Sequence, residues 1–218
     1  MLFVLAVGVL MTLAAPCPPD AVPDGVELLL ETSFRRAVER ARGELLVFVS
    51  EGAVLCEGWQ EGVRHAHRLG WAGVGPAVGA SHHTSMAAAF MRLCYGAWAA
   101  PAAPQPHPRL PLGLSSYKLG ALRALPAEAL EDEKRAQRCL SEQGVNLFTD
   151  TRVEVTVASP LSLSEFWRRL QAAGRAGHAA PWRPTPPPLR QWPWLGLGWV
   201  ALGLGAIQRV FFRASNER

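Results

Sequence analysis

Phe34-Arg-Arg-Ala-Val-Glu-Arg-Ala-Arg-Gly-Glu-Leu-Leu-Val-Phe-Val49 is the stretch on which the fold reading turns. Ser33, just before it, has a side-chain oxygen that can accept from the orphan N–H groups of a first helical turn. Gly43 supplies the stop, because a glycine readily takes the left-handed conformation that ends a helix. The spacing therefore predicts a helix over 34–42. Leu45–Val49 is a continuous apolar run, as expected of a strand covered on both faces.

The same alternation extends outward. Val26–Leu30 predicts a short buried strand, Trp59–Leu69 a helix ended by Gly70, and Trp71–Gly79 a further strand. Apolar strands separated by helices of about ten residues, with short connections, predict parallel βαβ units. Farther along, Ser85–Trp98 predicts a helix and Pro101–Pro111 a proline-rich loop. Ser116–Leu125 and Leu130–Gln143 predict two more helices, the second ended by Gly144. Val145–Phe148 and Arg152–Ala158 predict strands; Val153, Val155 and Val157 alternate with Arg152, Glu154 and Thr156, so one face should be solvated. Ser162 or Ser164 caps a final helix through Ala173.

Composition narrows the class. The 218 residues are 49% hydrophobic and 18% charged, which excludes a disordered chain and a polytopic membrane protein. The 22 basic residues are dispersed, with no stripe of interleaved aromatics, so nucleic acid is not expected as a partner. Cys17, Cys56, Cys94 and Cys139 form no CxxC pair; the expectation is reduced thiols in a cytosolic domain.

The two ends differ from the middle. Residues 1–23 open with an uncharged apolar run, yet the first basic residue is Arg35, unlike the basic start of a secretory signal. The run is also short for a span, so an apolar helix or strand is expected there. Residues 180–193 are a proline-rich linker, and residues 194–213 form a hydrophobic C-terminal helix. Trp192–Phe212 is just long enough to cross a bilayer if Arg209 snorkels, with Trp192, Trp194 and Trp199 at the opposite interface. This predicts a transmembrane helix that makes the protein membrane-associated, its globular domain on the cytoplasmic side. A buried or interfacial tail helix is the competing reading.

The order of segments over residues 24–179 resembles the family 2 glycosyltransferases of GT-A fold. Phe34–Val49 is similar to that family's helix, Ala-x-Gly turn and apolar strand. Leu112-Gly-Leu-Ser-Ser-Tyr-Lys-Leu-Gly-Ala-Leu-Arg-Ala-Leu125 resembles its acceptor-side segment. Leu130-Glu-Asp-Glu-Lys-Arg-Ala-Gln-Arg-Cys-Leu-Ser-Glu-Gln-Gly144 is similar to the Glu-Asp helix that carries the catalytic base, and Val145–Ala176 looks like the closing strands and helix. The resemblance implies an α/β fold with a GT-A-like, mainly parallel sheet flanked by helices. It implies sugar transfer from a nucleotide-sugar donor to a lipid or polysaccharide acceptor at the membrane.

What the resemblance implies for residues is specific. Asp132 would be the general base that an inverting transfer needs beside the acceptor hydroxyl, with Glu131 shaping its field. From the residues alone, the same acids suit the first turn of a helix. Ser115 and Lys118 would line the acceptor side. The donor's diphosphate usually calls for a divalent metal, Mg or Mn, held by a carboxylate pair. Here the matching place reads Val49-Ser-Glu-Gly-Ala53, leaving Glu51 as the donor-side and metal-binding acid. The early half also lacks the family's Asp-Asp-x-Ser turn, and its closing Gln-x-x-Arg-Trp motif is absent. The alternative is therefore a catalytically inactive homologue, acting as a membrane-tethered binding or assembly subunit.

Other signals carry less. His65 and His67 lie on different faces of one helix and His82 and His83 in a loop-like segment, so surface histidines are expected. Gly73–Gly79 has neither GxGxxG nor a P-loop lysine. Trp167-Arg168-Arg169 is expected on an exposed helix face.

Overall fold

A computed structural model describes residues 2–7, 26–29, 31, 33–50, 53–81, 84–100, 104–176 and 189–216. The chain divides into two compact units, residues 1–77 with 100–156 and residues 78–99 with 157–218.

The first unit is built on a sheet. Its strands are β1 (Leu2–Val7), β2 (Val26–Leu29), β3 (Leu45–Ser50), β4 (Ala53–Leu55), β5 (Gly73–Ala80), β6 (Gln105–Pro106), β7 (Ser116–Lys118) and β8 (Leu147–Val157). They are ordered β2-β1-β3-β7-β5-β8-β4, with β6 paired to β8. Helices α1 (Phe34–Arg40), α2 (Trp59–Arg68), α4 (Leu119–Arg123) and α5 (Glu133–Glu142) belong to this unit; α3 (Ser85–Tyr95) belongs to the other.

The mainly parallel GT-A-like sheet expected from the sequence is not what forms. β1 pairs antiparallel with both β2 and β3, and β7 pairs antiparallel with both β3 and β5. The sheet is mixed, with a parallel bridge at Val78–Ala99. The strands after Gly25 and Gly43 are not neighbours, because β1 runs between them. The reason lies in what an apolar run encodes. Leu45–Val49 is buried throughout, but burial on both faces fixes no strand direction. Direction is set by the partners, and here these are the N-terminal run and Ser116–Lys118, which the sequence suggested was helical. In place of one helix over 116–125, three residues join the sheet before α4 begins.

Elsewhere some local signals hold and others shift: α1 ends at Arg40 with Ala41 as its C-cap, short of Gly43, and Ala127–Glu131 forms a 3₁₀ turn before α5. Ser33 caps α1, its side chain accepting from the Arg36 N–H (3.5 Å). The core gathers Phe34, Leu46, Phe48, Tyr117, Leu122, Leu140 and Leu147, with Phe34 stacked on Phe48 at a ring distance of 4.9 Å. β8 is one strand rather than two; Val153, Val155 and Val157 are buried while Arg152 and Glu154 are exposed.

The second unit takes in the last residues of β5, from Val78, and the final residue of β8, Val157. The Ser81 N–H donates to Val157 O (3.1 Å), and the Ser159 N–H donates to the Ser81 hydroxyl (2.9 Å). Helix α6 (Leu163–Ala176) starts on the Ser162 hydroxyl, which accepts from the Glu165 N–H (3.2 Å). Helix α7 (Trp192–Asn216) follows a 3₁₀ turn at Leu189–Gln191 and packs on α6 and α3. Most of the proline-rich linker, residues 180–188, lies outside the described residues.

The expected transmembrane helix is corrected. Among the described residues no helix is long and apolar enough to cross a membrane. Four glycines, three tryptophans and Pro193 dilute the apolarity of α7. One face of α7 is also committed to packing. Phe166 meets Trp194 edge-on (5.9 Å), and Leu195, Ala201 and Leu202 are buried. The approach is backbone to backbone: a Cβ on Gly174 would lie 2.2 Å from Leu202 O, and one on Gly205 would lie 2.2 Å from Gln171 O. Neither oxygen can rotate away, so even a methyl must push the helices apart.

Gly174→Ala is expected to destabilise the protein by about 1–3 kcal/mol, the usual range for overpacking. Hydrogen exchange should rise in α6 and α7 while β3 and β7 keep their protection.

Candidate functional site

The first unit holds a buried polar cluster, and its centre is Glu133. Helix α5 shows why. Ala136, Gln137 and Leu140 form its buried stripe, and Glu133 lies one turn earlier on that stripe. The fold thus carries a carboxylate inward. One Glu133 oxygen accepts from the Tyr117 hydroxyl (2.7 Å), the other from the Gly113 N–H (2.6 Å). The Gln137 amide nitrogen donates to the Tyr117 oxygen (2.7 Å), and the Gln137 carbonyl oxygen accepts from the Leu110 N–H (2.9 Å).

This network fixes the loop from Leu110 to Ser115. Gly113 has φ 72°, in the left-handed region that favours glycine, and its N–H meets Glu133. Its carbonyl accepts from the Ser50 hydroxyl (3.0 Å). The Ser115 hydroxyl donates to Pro111 O (2.7 Å). One residue therefore joins the end of β3 to the start of α5, through partners 63 and 20 residues away in sequence.

Burial dominates the electrostatics. It pushes the Glu133 carboxyl up to about 7, although the bonds from Tyr117 and Gly113 pull the other way. Burial beside Glu133 also raises the Tyr117 phenol well above its ordinary value. A carboxyl in this range changes protonation near neutral pH, which is what a proton acceptor in catalysis requires.

A second buried polar contact joins His67 to Ser116, the residue before Tyr117. His67 is buried; its Nδ1 lies 3.1 Å from Trp71 O and its Nε2 lies 2.9 Å from the Ser116 hydroxyl. A neutral ring can serve both, donating at one nitrogen and accepting at the other. Burial lowers its pKa to about 4, so it stays neutral at physiological pH. This corrects the surface reading for His67, whereas His65 is exposed as expected. His82 and His83 lie outside the described residues.

The described residues singled out from the sequence differ in setting. Asp132 is exposed and caps α5, its carboxylate accepting from the Arg135 N–H (2.8 Å) with the Arg135 guanidinium 3.5 Å away. Glu131 is also exposed and pairs with Arg135. Ser115 is fully buried and bonded within its own loop, and Lys118 is half-buried at the start of α4. Glu51 lies outside the described residues. Arg169 of the expected exposed trio bonds Ala158 O (2.6 Å) and Glu165 (2.5 Å) in the second unit.

Glu133 is the residue that sequence reasoning passed over, though a signal for it was present. An N-cap side chain must turn back to the N–H three residues on, so Asp132 cannot also point inward. The stripe of Leu140, Gln137 and Ala136, extended by one turn, lands on Glu133.

Among the described residues there is no group of three His, Cys, Asp or Glu side chains able to hold an ion. The sequence offers one acid, Glu51, where a carboxylate pair would be needed, so no step is derived through a metal. Cys56, Cys94 and Cys139 are free thiols, and burial raises Cys94 to about 12, far from a reactive thiolate. Compared with known proteins, the chain matches no family model and no curated sequence.

The Glu133 shift fixes a pH dependence. The folded state holds its proton up to about pH 7. The unfolded chain releases that proton near the ordinary carboxyl value of about 4.3. The Glu133 contribution to stability is therefore full below that lower value and lost as pH rises through 7. Glu133→Gln should gain on the wild type across this window, by about 4 kcal/mol in all, and by nothing more above it. Urea midpoints of both proteins at pH 4.5, 6 and 8 measure the gap.

Proposed function

We propose that the chain transfers a sugar from a nucleotide-sugar donor to a lipid or polysaccharide hydroxyl, with Glu133 rather than Asp132 as the base. The observation that carries this reading is the double contact of Gly113. Its carbonyl is held by Ser50, the residue before the donor-side Glu51, and its N–H by Glu133 on the base-bearing helix. Donor-side and acceptor-side segments, as the sequence resemblance assigns them, are thus linked across one residue.

The chemistry asks little more of the protein. The acceptor oxygen attacks the anomeric carbon opposite the leaving group. The new oxygen–carbon bond forms as the bond from that carbon to the phosphate oxygen breaks, and the nucleoside diphosphate departs with the bonding pair. Glu133 takes the acceptor's proton in the same step, contributing the factor of about 10²–10⁴ typical of a positioned base. Each Glu133 oxygen has one protein donor, leaving acceptor capacity for that proton.

The inactive-homologue reading has an observation of its own. Asp132, the acid matched to the family's base, is occupied with capping and with Arg135. A binding or assembly role follows if Glu133 serves only to hold the loop from Leu110 to Ser115.

Two measurements separate these readings. A nucleoside diphosphate at millimolar concentration, with and without manganese, should raise the melting temperature of the wild type, since a ligand bound to the native state must stabilise it. Release of nucleoside diphosphate from a nucleotide sugar should fall about 100-fold or more in Glu133→Gln and stay within a few-fold in Asp132→Asn. No stabilisation and no turnover in the wild type would establish the non-catalytic role.

A further inference from the structure

Helix α7 is two-faced in an unusual way. Its inner face packs on α6 and α3. Its outer face exposes Trp192, Gly196, Trp199, Val200, Gly203 and Leu204, which recur at the spacing of a single helical face. Trp192 is 55% exposed, Trp199 47%, Val200 55% and Leu204 41%. From Trp192 to Ile207 the chain carries no charge at all. The exposed band runs about 18 Å along the helix at 1.5 Å per residue. Isolated surface apolar residues need no explanation, but a continuous band without a polar member marks a surface that meets something apolar.

Charge says what that partner is. The second unit carries nine arginines against two glutamates, Glu165 and Glu217, a net charge of +7. The whole chain is +4, so the first unit, over the remaining residues of the same sequence, is −3. The basic excess is therefore confined to the unit that bears the apolar band. Among the two acids, Glu165 is already paired with Arg169. Exposed Arg168, Arg175 and Arg190 belong to this unit. An apolar band with interfacial tryptophans, in a unit rich in arginine and poor in acid, is complementary to an anionic lipid surface. A second copy of the unit would bring +7 against +7 and is disfavoured.

We infer that α7 is a monotopic membrane anchor: it lies in the plane of an anionic bilayer, with Trp192, Trp199, Val200 and Leu204 in the headgroup–acyl boundary. It does not cross, because its other face is occupied by α6 and α3. This inference is independent of the sugar-transfer reading, and its failure would leave that reading as it stands.

The test uses the full chain and sedimentation with vesicles of phosphatidylcholine alone or with one third phosphatidylglycerol. Binding should be strong to the anionic vesicles, weaker to the neutral ones, and reduced by salt. The double variant Trp199→Glu with Val200→Glu should weaken binding about tenfold or more, since carboxylates resist the interface. Both side chains are exposed, so melting temperature should be kept. Leu69→Glu, at an exposed apolar position in the first unit, should bind as the wild type does. Brominated lipids should quench tryptophan more strongly with shallow bromines than with bromines near the bilayer centre. Absence of binding to either vesicle overturns the inference. So does concentration-dependent self-association that the double variant abolishes, which would assign the band to a second copy. Stronger quenching by the deep bromines would overturn the in-plane orientation.

Discussion

A carboxylate buried at the start of α5 is the constraint around which the first unit is arranged. Taking Glu133 out of water is costly, and the cost is offset only if its oxygens find donors. The donors come from far along the chain: Tyr117 from a three-residue strand, and Gly113 from a loop that must turn through a left-handed residue to present its N–H. Tyr117 in turn requires Gln137, and Gln137 requires Leu110. Strand pairing, loop shape and helix placement are thereby one set of mutually dependent bonds. Networks of this kind specify a unique arrangement when complete and are costly when broken.

Much of the local structure was legible in the sequence. Ser33, Ser162 and Gly70 mark helix ends by rules that depend on a few neighbouring atoms. The valine alternation of β8 states its buried face directly. Strand direction was not legible, since Leu45–Val49 looks the same whichever way its neighbours run. Tyr117 shows the limit at one residue. Ser116–Leu125 has the composition of a helix, yet its first three residues are drawn into the sheet between β3 and β5. Tertiary pairing outweighs local preference there.

The candidate site was half legible. The pair Glu131–Asp132 was singled out, one residue short of Glu133, and roles along this run depend on which residue begins the helix. Asp132 caps and faces solvent, whereas Glu133, one residue on, faces the core. Adjacent helical residues point about 100° apart, so a slip of one position exchanges an exposed ion pair for a buried proton carrier. α7 gives a parallel case. Its length and lack of charge suggested a span, but two of its glycines, Gly198 and Gly205, serve a different end: close seating against neighbouring helices.

His67 and Glu133 together have an effect that neither shows alone. In mildly acid solution, unfolding must load a proton onto the histidine, which the fold keeps bare, and strip one from the glutamic acid, which the fold keeps covered. The two transfers have opposite sign, so the proton uptake that these two groups contribute on unfolding is close to zero. A protein with two strongly displaced titrations would then look indifferent to acidity over that range. Its flat profile would be an internal balance, exposed only when either partner is made untitratable.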